Sequence, residues 1–147
     1  MTAWRVLRTL CLGLVALVLL AVAPAWAERR VALVIGNSSY KSIVALSNPR
    51  NDAEDISSAL RNLGFEVMLR TDVQKNDIRN VLKDFSRLTS GADTALVFFA
   101  GHALQYQGRY FLVPVDAALE DEDALKFDML PADDLKDVIG KVSGVRI

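Results

Sequence analysis

Two short runs of apolar, mostly β-branched or aromatic residues constrain the fold most. Val31–Ile35 leads into Gly36 and then into polar residues, and Thr94–Phe99 leads in the same way into Ala100 and Gly101. Neither run alternates between apolar and polar residues, which is typical of strands buried on both faces of a parallel sheet. The sequence therefore predicts two central strands of such a sheet.

Two helical patterns separate these strands. The first begins at Asn48 as the cap, has Pro49 at its first helical position and ends before Gly64. The second opens at Asn76, and the apolar segment Phe65–Leu69 between the helices predicts another strand. Strand, helix, strand, helix, strand is typical of an α/β fold with right-handed crossovers.

The rest of the chain predicts a hairpin, a helix and one more strand. Leu104–Val115 has the turn residues Gln107 and Gly108 at its centre, and Pro131 introduces a third helical pattern. Gly144–Ile147 predicts the first residues of a fourth core strand. Residues 28–147 are therefore expected to form one domain whose sheet is incomplete at its C-terminal end.

The N-terminal residues 1–27 have the pattern of a secretory signal peptide. Arg5 and Arg8 precede a short apolar stretch, and Ala25 and Ala27 form an A-x-A cleavage site. The apolar stretch is shorter than the roughly 20 residues that cross a bilayer, so no stable membrane anchor is expected. We expect cleavage after Ala27 and export to the periplasm or the extracellular space.

Charge and cysteine content exclude several functions. The formal net charge is −1, and no basic patch of the kind that binds nucleic acid is visible. The only cysteine is Cys11, which lies in the predicted leader. Residues 28–147 therefore hold no disulfide, no thiolate metal site and no thiol nucleophile.

His102 is the only histidine, and it follows the predicted strand Thr94–Phe99 at the sheet edge where ligands bind in open α/β folds. A lone histidine is often structural. No second histidine or suitable cysteine completes a zinc site, and no G-x-S-x-G or phosphate-binding glycine motif is present. A further candidate role of His102 is to act as acid and base for a cysteine thiolate. A cysteine ending the neighbouring strand, about 4.8 Å away, would come within reach of His102.

Five segments of the chain resemble the caspase and metacaspase superfamily, especially its bacterial caspase-like members. The resemblance implies a caspase-like three-layer sandwich, with a mainly parallel sheet and helices on both faces. It rests on these segments in order: Ala32–Asn37 with Tyr40, Leu46–Ala53, Leu63–Phe65, Phe98–His102 and Tyr110–Asp116.

The resemblance also implies roles for three residues. His102 corresponds to the catalytic histidine, and the main-chain N–H of Ala103 corresponds to one donor of the oxyanion hole. The family usually has glycine there, so an alanine would be strained if the position needs a positive φ. Asp52 corresponds to an acid that binds the arginine or lysine side chain before the cut bond in metacaspases. Alternatively, Asp52 only stabilises the start of its helix through the helix dipole.

Three further aspartates, Asp116, Asp133 and Asp134, fall where some metacaspases bind a regulatory calcium ion. Equally, Asp133 and Asp134 can simply cap and charge the start of the last helix. No cofactor is required by the chemistry that the resemblance implies, and calcium is the one ion that these positions indicate.

The family's nucleophile lies in a cysteine signature about 50 residues after the histidine, which falls past Ile147. We therefore expect this chain alone not to cleave peptides, and three hypotheses stay open. The first is that the chain is part of an exported cysteine endopeptidase that acts on peptide or protein substrates and cuts after arginine or lysine. The second is a non-catalytic caspase-like module completed by a C-terminal segment or by a partner chain. The third is an unrelated flavodoxin-like binding domain.

Overall fold

The computed structural model describes residues 28–118 and 128–147. In chain order the elements are β1 Arg30–Gly36, α1 Pro49–Asn62, β2 Phe65–Thr71, α2 Lys75–Leu88, β3 Thr94–Ala100, β4 Ala103–Tyr106, β5 Arg109–Leu112, β6 Leu130–Pro131, α3 Ala132–Ile139 and β7 Val145–Arg146. The first strands and helices confirm the predicted alternation, and β1, β2 and β3 extend one or two residues past their predicted ends.

The main sheet is parallel, with the strand order β2-β1-β3-β7. Its register aligns Gly36 of β1 with Thr71 of β2 on one side and with Ala100 of β3 on the other. Three strands therefore end at the same level, and the residues that follow them meet at one edge of the sheet.

Alternate residues of β1 face two different helical layers. Leu33 belongs to the apolar cluster that includes Phe85 of α2 and Leu135 of α3. Val34 belongs instead to the cluster that includes Ala53 of α1. Helices therefore cover both faces of the sheet, which confirms the predicted α/β sandwich. Burial of each of the larger side chains, such as Leu33, Val34 and Phe85, contributes about 1.5 to 3 kcal/mol.

The helix starts differ from the sequence prediction in how they are capped. Asn48 stands at the N-cap of α1 but makes no side-chain capping hydrogen bond. Instead, the main-chain N–H of Arg50 donates to Oγ of Ser38, 3.1 Å away. α2 begins at Lys75 rather than at Asn76. At both helix starts a residue distant in sequence, Ser38 or Asp116, accepts a main-chain N–H of the first turn.

The predicted hairpin is confirmed as β4 and β5. Its turn residues Gln107 and Gly108 have φ of 49° and 76°, as a two-residue type I′ turn requires. The two-residue strand β6 was not predicted. It pairs antiparallel with β5 and places Pro131 opposite Phe111, at an edge where the missing proline N–H is tolerated.

β7 confirms the predicted fourth strand, since Val145 pairs in parallel with Thr94 of β3. Gly144 precedes it because a Cβ there would lie 2.0 Å from the main-chain oxygen of Asp93.

Within residues 28–118 and 128–147, no helix has the length and apolar character needed to cross a membrane. The predicted leader, residues 1–27, lies outside the described residues, so its cleavage and the export of the chain stay predictions.

Candidate active site

The carboxyl ends of β1, β2 and β3 carry polar residues directly after the last paired position. Asn37 follows β1, Asp72 follows β2, and Gly101 and His102 follow β3. Two main-chain hydrogen bonds extend the ladder by one step, from Asn37 N to Ala100 O at 2.9 Å and from Asp72 N to Gly36 O at 3.0 Å. These residues are therefore placed by the sheet itself.

The imidazole of His102 is held by a main-chain carbonyl. Its Nε2 lies 2.8 Å from the oxygen of Val44, in the loop of residues 37–48 that joins β1 to α1. We refer to this segment as the β1–α1 loop. A carbonyl oxygen only accepts, so Nε2 carries the hydrogen and the neutral ring keeps its lone pair on Nδ1. The ring is therefore prepared to accept a proton at Nδ1.

Tyr40, in the same loop, contacts His102 in two ways. Its hydroxyl accepts a hydrogen bond from His102 N at 2.8 Å and donates to Val113 O at 3.3 Å. The two rings meet edge to face with centroids 4.6 Å apart. Burial raises the pKa of the Tyr40 hydroxyl, so it stays neutral and able to donate. Gly101 is required beside it, because a Cβ there would lie 2.6 Å from Oη of Tyr40.

Asn37 ties the ends of these elements together from inside the protein. It is 2% exposed. Its Nδ2 donates to Val113 O at 3.1 Å, and its Oδ1 accepts from Val73 N at 2.9 Å. Val113 O thus binds both Asn37 and Tyr40, which fixes the segment after β5 against the β1–α1 loop.

The carboxylate of Asp72 accepts several hydrogen bonds at the start of the β1–α1 loop. The donors are the main-chain N–H groups of Ser38 and Ser39, the Ser39 hydroxyl and the guanidinium of Arg50. Burial alone would raise the pKa of Asp72, but the N–H donors of Ser39 and Ser38, then Arg50, outweigh it and lower the pKa to about 2. Asp72 is therefore an anion at neutral pH.

Ala103, the expected oxyanion donor, is the exposed first residue of β4. It is not among the described residues with positive φ. The alanine is therefore not strained at this position, and its main-chain N–H follows directly after His102.

Asp52 lies in the first turn of α1 and is exposed. This turn packs against the end of β1: a Cβ on Gly36 would lie 2.5 Å from Pro49 O. Across the described part of the chain, the Asp52 carboxylate has no ion pair or hydrogen-bond partner. Asp52 and His102 therefore share this edge of the sheet without a direct contact.

The three aspartates expected to bind calcium lie in separate contacts. Asp116 Oδ1 accepts the N–H of Lys75 at 2.8 Å and so caps α2. Asp133 pairs with Lys136 at 3.0 Å, and Asp134 lines a cavity of about 840 Å³ beside α2. In the two described ranges, no group of three or more histidine, cysteine, aspartate or glutamate residues could hold a metal ion. Calcium binding by this set stays a prediction.

Sequence reasoning assigned no role to three components of this site. The carbonyl of Val44 could not be found, because every residue has one. Tyr40 was noticed only as part of a motif. Asp72 and Arg50, 22 residues apart, form a pair that no local pattern indicates.

Comparisons with known proteins give a consistent result. A family model described as the caspase domain matches residues 29–146. Human mucosa-associated lymphoid tissue lymphoma translocation protein 1 is 35% identical over 91 residues, which is 62% of this chain and 11% of that protein. Its mouse homologue matches to the same extent. The chain thus spans about a tenth of the length of the curated relatives that it matches.

Solved structures share the fold at low sequence identity. Protein GSU0716 from Geobacter sulfurreducens superposes with a TM-score of 0.60 at 17% identity, over 80% of this chain and 47% of that one. The Drosophila initiator caspase Dronc gives a TM-score of 0.59 at 12% identity, over 75% of this chain and 41% of that one.

Proposed function

Because the chain belongs to the caspase domain family, we propose that residues 28–147 supply the histidine part of the active site of a cysteine endopeptidase. The observation that carries this proposal is the placement of His102. The ring lies at the carboxyl edge of the sheet, its Nε2 is bound by Val44 O, and Nδ1 is left to exchange a proton.

The proposed reaction uses His102 twice. Nδ1 takes the proton of a cysteine thiol, and the thiolate attacks the carbonyl carbon of the substrate peptide bond. The imidazolium then gives that proton to the leaving amine as the C–N bond breaks, and water hydrolyses the acyl-enzyme. The carbonyl of Val44 stabilises the imidazolium, while the N–H of Ala103 donates to the developing oxyanion.

We assign the preference for arginine or lysine before the cut bond to Asp52. Its carboxylate is exposed and has no cationic partner in the described structure, so a substrate cation can pair with it. Asp72, in contrast, is already neutralised by Arg50. Because the Arg50 guanidinium is paired with Asp72, it is poorly suited to bind an acidic substrate side chain.

The thiol has to come from outside residues 28–147, because Cys11 is the only cysteine of the chain. Either sequence encoded after Ile147 or a partner chain would supply it. β7 pairs in parallel with Thr94 and Ala95 at the amino end of β3. A strand that continued in this register along β3 to its carboxyl end would place a cysteine at its own end beside His102. Residues 28–147 alone are expected not to cleave peptides.

The test is cleavage of fluorogenic peptides that end in arginine, lysine or aspartate. Two forms are compared: residues 28–147, and the same residues followed by the sequence encoded after Ile147. The proposal predicts that only the longer form cuts, that it prefers arginine and lysine, and that His102→Ala removes the activity. Asp52→Asn should reduce kcat/KM for the arginine peptide about tenfold or more, with Asp55→Asn, on the same helix, as a matched control.

A second candidate is a non-catalytic module that binds a partner strand. The lack of cysteine in residues 28–147 favours it. So does β3, whose end nearest His102 pairs only with β1 among the described strands. If neither form cuts any peptide, with or without calcium, this candidate replaces the peptidase.

Export is proposed separately, from the pattern of residues 1–27. Expression of the whole chain in a bacterium, followed by N-terminal sequencing of the periplasmic fraction, should give a protein that begins at Glu28. An uncleaved chain in the cytoplasm would contradict this proposal.

A further inference from the structure

Asp72 has a backbone conformation that few residues adopt. Its φ is 51°, in the left-handed region where aspartate and asparagine are tolerated better than most other residues. Its N–H still continues the β-ladder to Gly36 O. Asp72 is thus fixed by the sheet, and its carboxylate, whose side chain is only 18% exposed, meets the start of the β1–α1 loop.

The contacts of Asp72 saturate this carboxylate. Oδ1 accepts from Ser38 N at 2.8 Å and from Ser39 N at 2.9 Å. Oδ2 accepts from the Ser39 hydroxyl at 3.0 Å and from Arg50. Four donors match the roughly four lone-pair positions of a carboxylate, so the first turn of the loop has little freedom to move.

Ser38 passes this constraint to the rest of the β1–α1 loop. Its main-chain oxygen accepts from Tyr40 N at 3.1 Å and from Leu46 N at 3.0 Å, which closes the loop on itself. Its hydroxyl accepts from Arg50 N at the start of α1. Both ends of the segment 40–46 are thereby tied to a residue that Asp72 holds.

The segment between those ties carries both groups that hold His102. The Tyr40 hydroxyl binds His102 N, and Val44 O binds Nε2 of the ring. Hydrogen bonds from Asp72 to Ser38 and from Ser38 to residues 40 and 46, joined by the backbone between them, therefore connect Asp72 with the imidazole.

We propose that Asp72 is a positioning residue for His102: it fixes the β1–α1 loop so that Val44 O holds Nε2 and leaves Nδ1 for proton transfer. The inference rests on the proposed role of His102 as the acid and base of the reaction. The lowered pKa of Asp72 agrees with it, because, against the effect of burial, the N–H donors of the β1–α1 loop and Arg50 stabilise the charged carboxylate. A purely structural Asp72 would affect stability but would not change the state of the imidazole.

The chain allows a direct test, since His102 is its only histidine. Ring ¹⁵N spectra of the histidine-labelled 147-residue chain, purified without a histidine tag, contain the signals of one imidazole. At about pH 9 a histidine ring is neutral, and the Nδ1 and Nε2 shifts report the ratio of its two tautomers. The unaltered chain should show mostly the tautomer protonated at Nε2.

Asp72→Asn is the main variant. The substitution keeps the shape of the side chain, but it replaces one acceptor oxygen with an NH₂ group that faces the donors of Ser38, Ser39 or Arg50. The ratio of the Nε2–H to the Nδ1–H tautomer should fall about fivefold or more, which corresponds to the loss of one net hydrogen bond. Ser39→Ala, which removes only the hydroxyl contact, should cause a smaller fall in the same direction and serves if Asp72→Asn fails to fold.

Asp93→Asn is the matched control. Asp93 Oδ2 also accepts a main-chain N–H from a distant residue, Arg29 at 2.8 Å, but at the opposite edge of the sheet. Its removal should leave the tautomer ratio unchanged. An unchanged ratio in folded Asp72→Asn or Ser39→Ala, or an equal fall in Asp93→Asn, would overturn the inference. The spectra need no cleavage, so a failed peptidase assay with the expected tautomer change would reject the proposed chemistry and keep the positioning role.

Discussion

The two edges of the parallel sheet are held by different kinds of polar contact. At the amino edge, Arg29 pairs with Glu66 and Arg30 pairs with Glu28, and these four side chains are 41% to 58% exposed. At the carboxyl edge, Asn37 and Tyr40 are 2% and 7% exposed, and both bind main-chain groups. The carboxyl edge also has an ion pair, Asp72 with Arg50, but Asn37 and Tyr40 add buried hydrogen bonds to main-chain groups there.

This difference follows from what each type of contact can do. Exposed ion pairs contribute little to stability, and solvent and salt screen them, so they define the geometry of an edge only weakly. Buried hydrogen bonds are costly to break because a partner is left unsatisfied, and so they define one geometry. We therefore expect the carboxyl edge, which carries His102, to be the more rigid one.

The largest effect is expected from Asn37→Ala. The substitution removes two buried hydrogen bonds and leaves Val73 N–H without its acceptor, so the free energy of unfolding should fall by about 2 to 4 kcal/mol. Urea denaturation measures this loss. Asn62→Ala, at the exposed end of α1, should change stability by less than about 0.5 kcal/mol. Equal losses in the two variants would mean that the buried hydrogen bonds of Asn37 contribute no more to stability than an exposed side chain does.

Two glycine substitutions compare the edges next. Gly101→Ala places a Cβ 2.6 Å from the Tyr40 hydroxyl, and Gly144→Ala places one 2.0 Å from Asp93 O. Each should cost about 1 to 3 kcal/mol, because a close-packed site has to shift. Only Gly101→Ala should also change the ¹⁵N shifts of the His102 ring, because it displaces the hydroxyl that binds His102 N. A comparable change in Gly144→Ala would contradict the separation of the two edges.

The strands and their layers could be predicted from the sequence because burial on both faces leaves a local record. Val31–Ile35 and Thr94–Phe99 are apolar at every position or nearly so, and their short length, their β-branched and aromatic residues and the glycines that follow favour strands of a doubly covered sheet. Gln107 and Gly108 likewise indicated their turn locally, since the type I′ conformation needs residues that tolerate a positive φ. These features depend on neighbours in sequence.

The contacts that orient His102 left no such record. Val44 contributes a carbonyl, which any residue could contribute. Asn48 is a residue type that often caps helices, yet Oγ of Ser38 accepts the hydrogen bond from Arg50 N at the start of α1. Asp116 was singled out as a predicted calcium ligand, and its carboxylate accepts the N–H of Lys75 at the start of α2. In each case the partner is chosen by the fold, so only the three-dimensional structure identifies it.

The pH dependence of stability gives a smaller effect at the carboxyl edge. The pKa of Asp72 is lowered to about 2, from about 4 in an unfolded chain. Its stabilising contribution is therefore complete above about pH 4 and is lost as the pH falls toward 2. Allowing for solvent screening, it amounts to about 1 to 2 kcal/mol. The stability difference between the unaltered chain and Asp72→Asn should be larger at about pH 6 than at about pH 3. A constant difference would mean that the charge does not matter.

The smallest effect is expected at the amino edge, from the pair Arg29 and Glu66, whose charged groups lie 3.0 Å apart. Arg29→Ala also removes a hydrogen bond to Ser90 O, so the single variant overstates the pair. A double-mutant cycle with Glu66→Ala isolates the coupling energy, which should be about 0.2 to 1 kcal/mol. It should decrease further in about 1 M salt, because both side chains are solvated. A coupling above about 2 kcal/mol that persists at high salt would show that this edge is also fixed by its polar contacts. The rigidity assigned to the His102 edge would then be a property of the whole sheet.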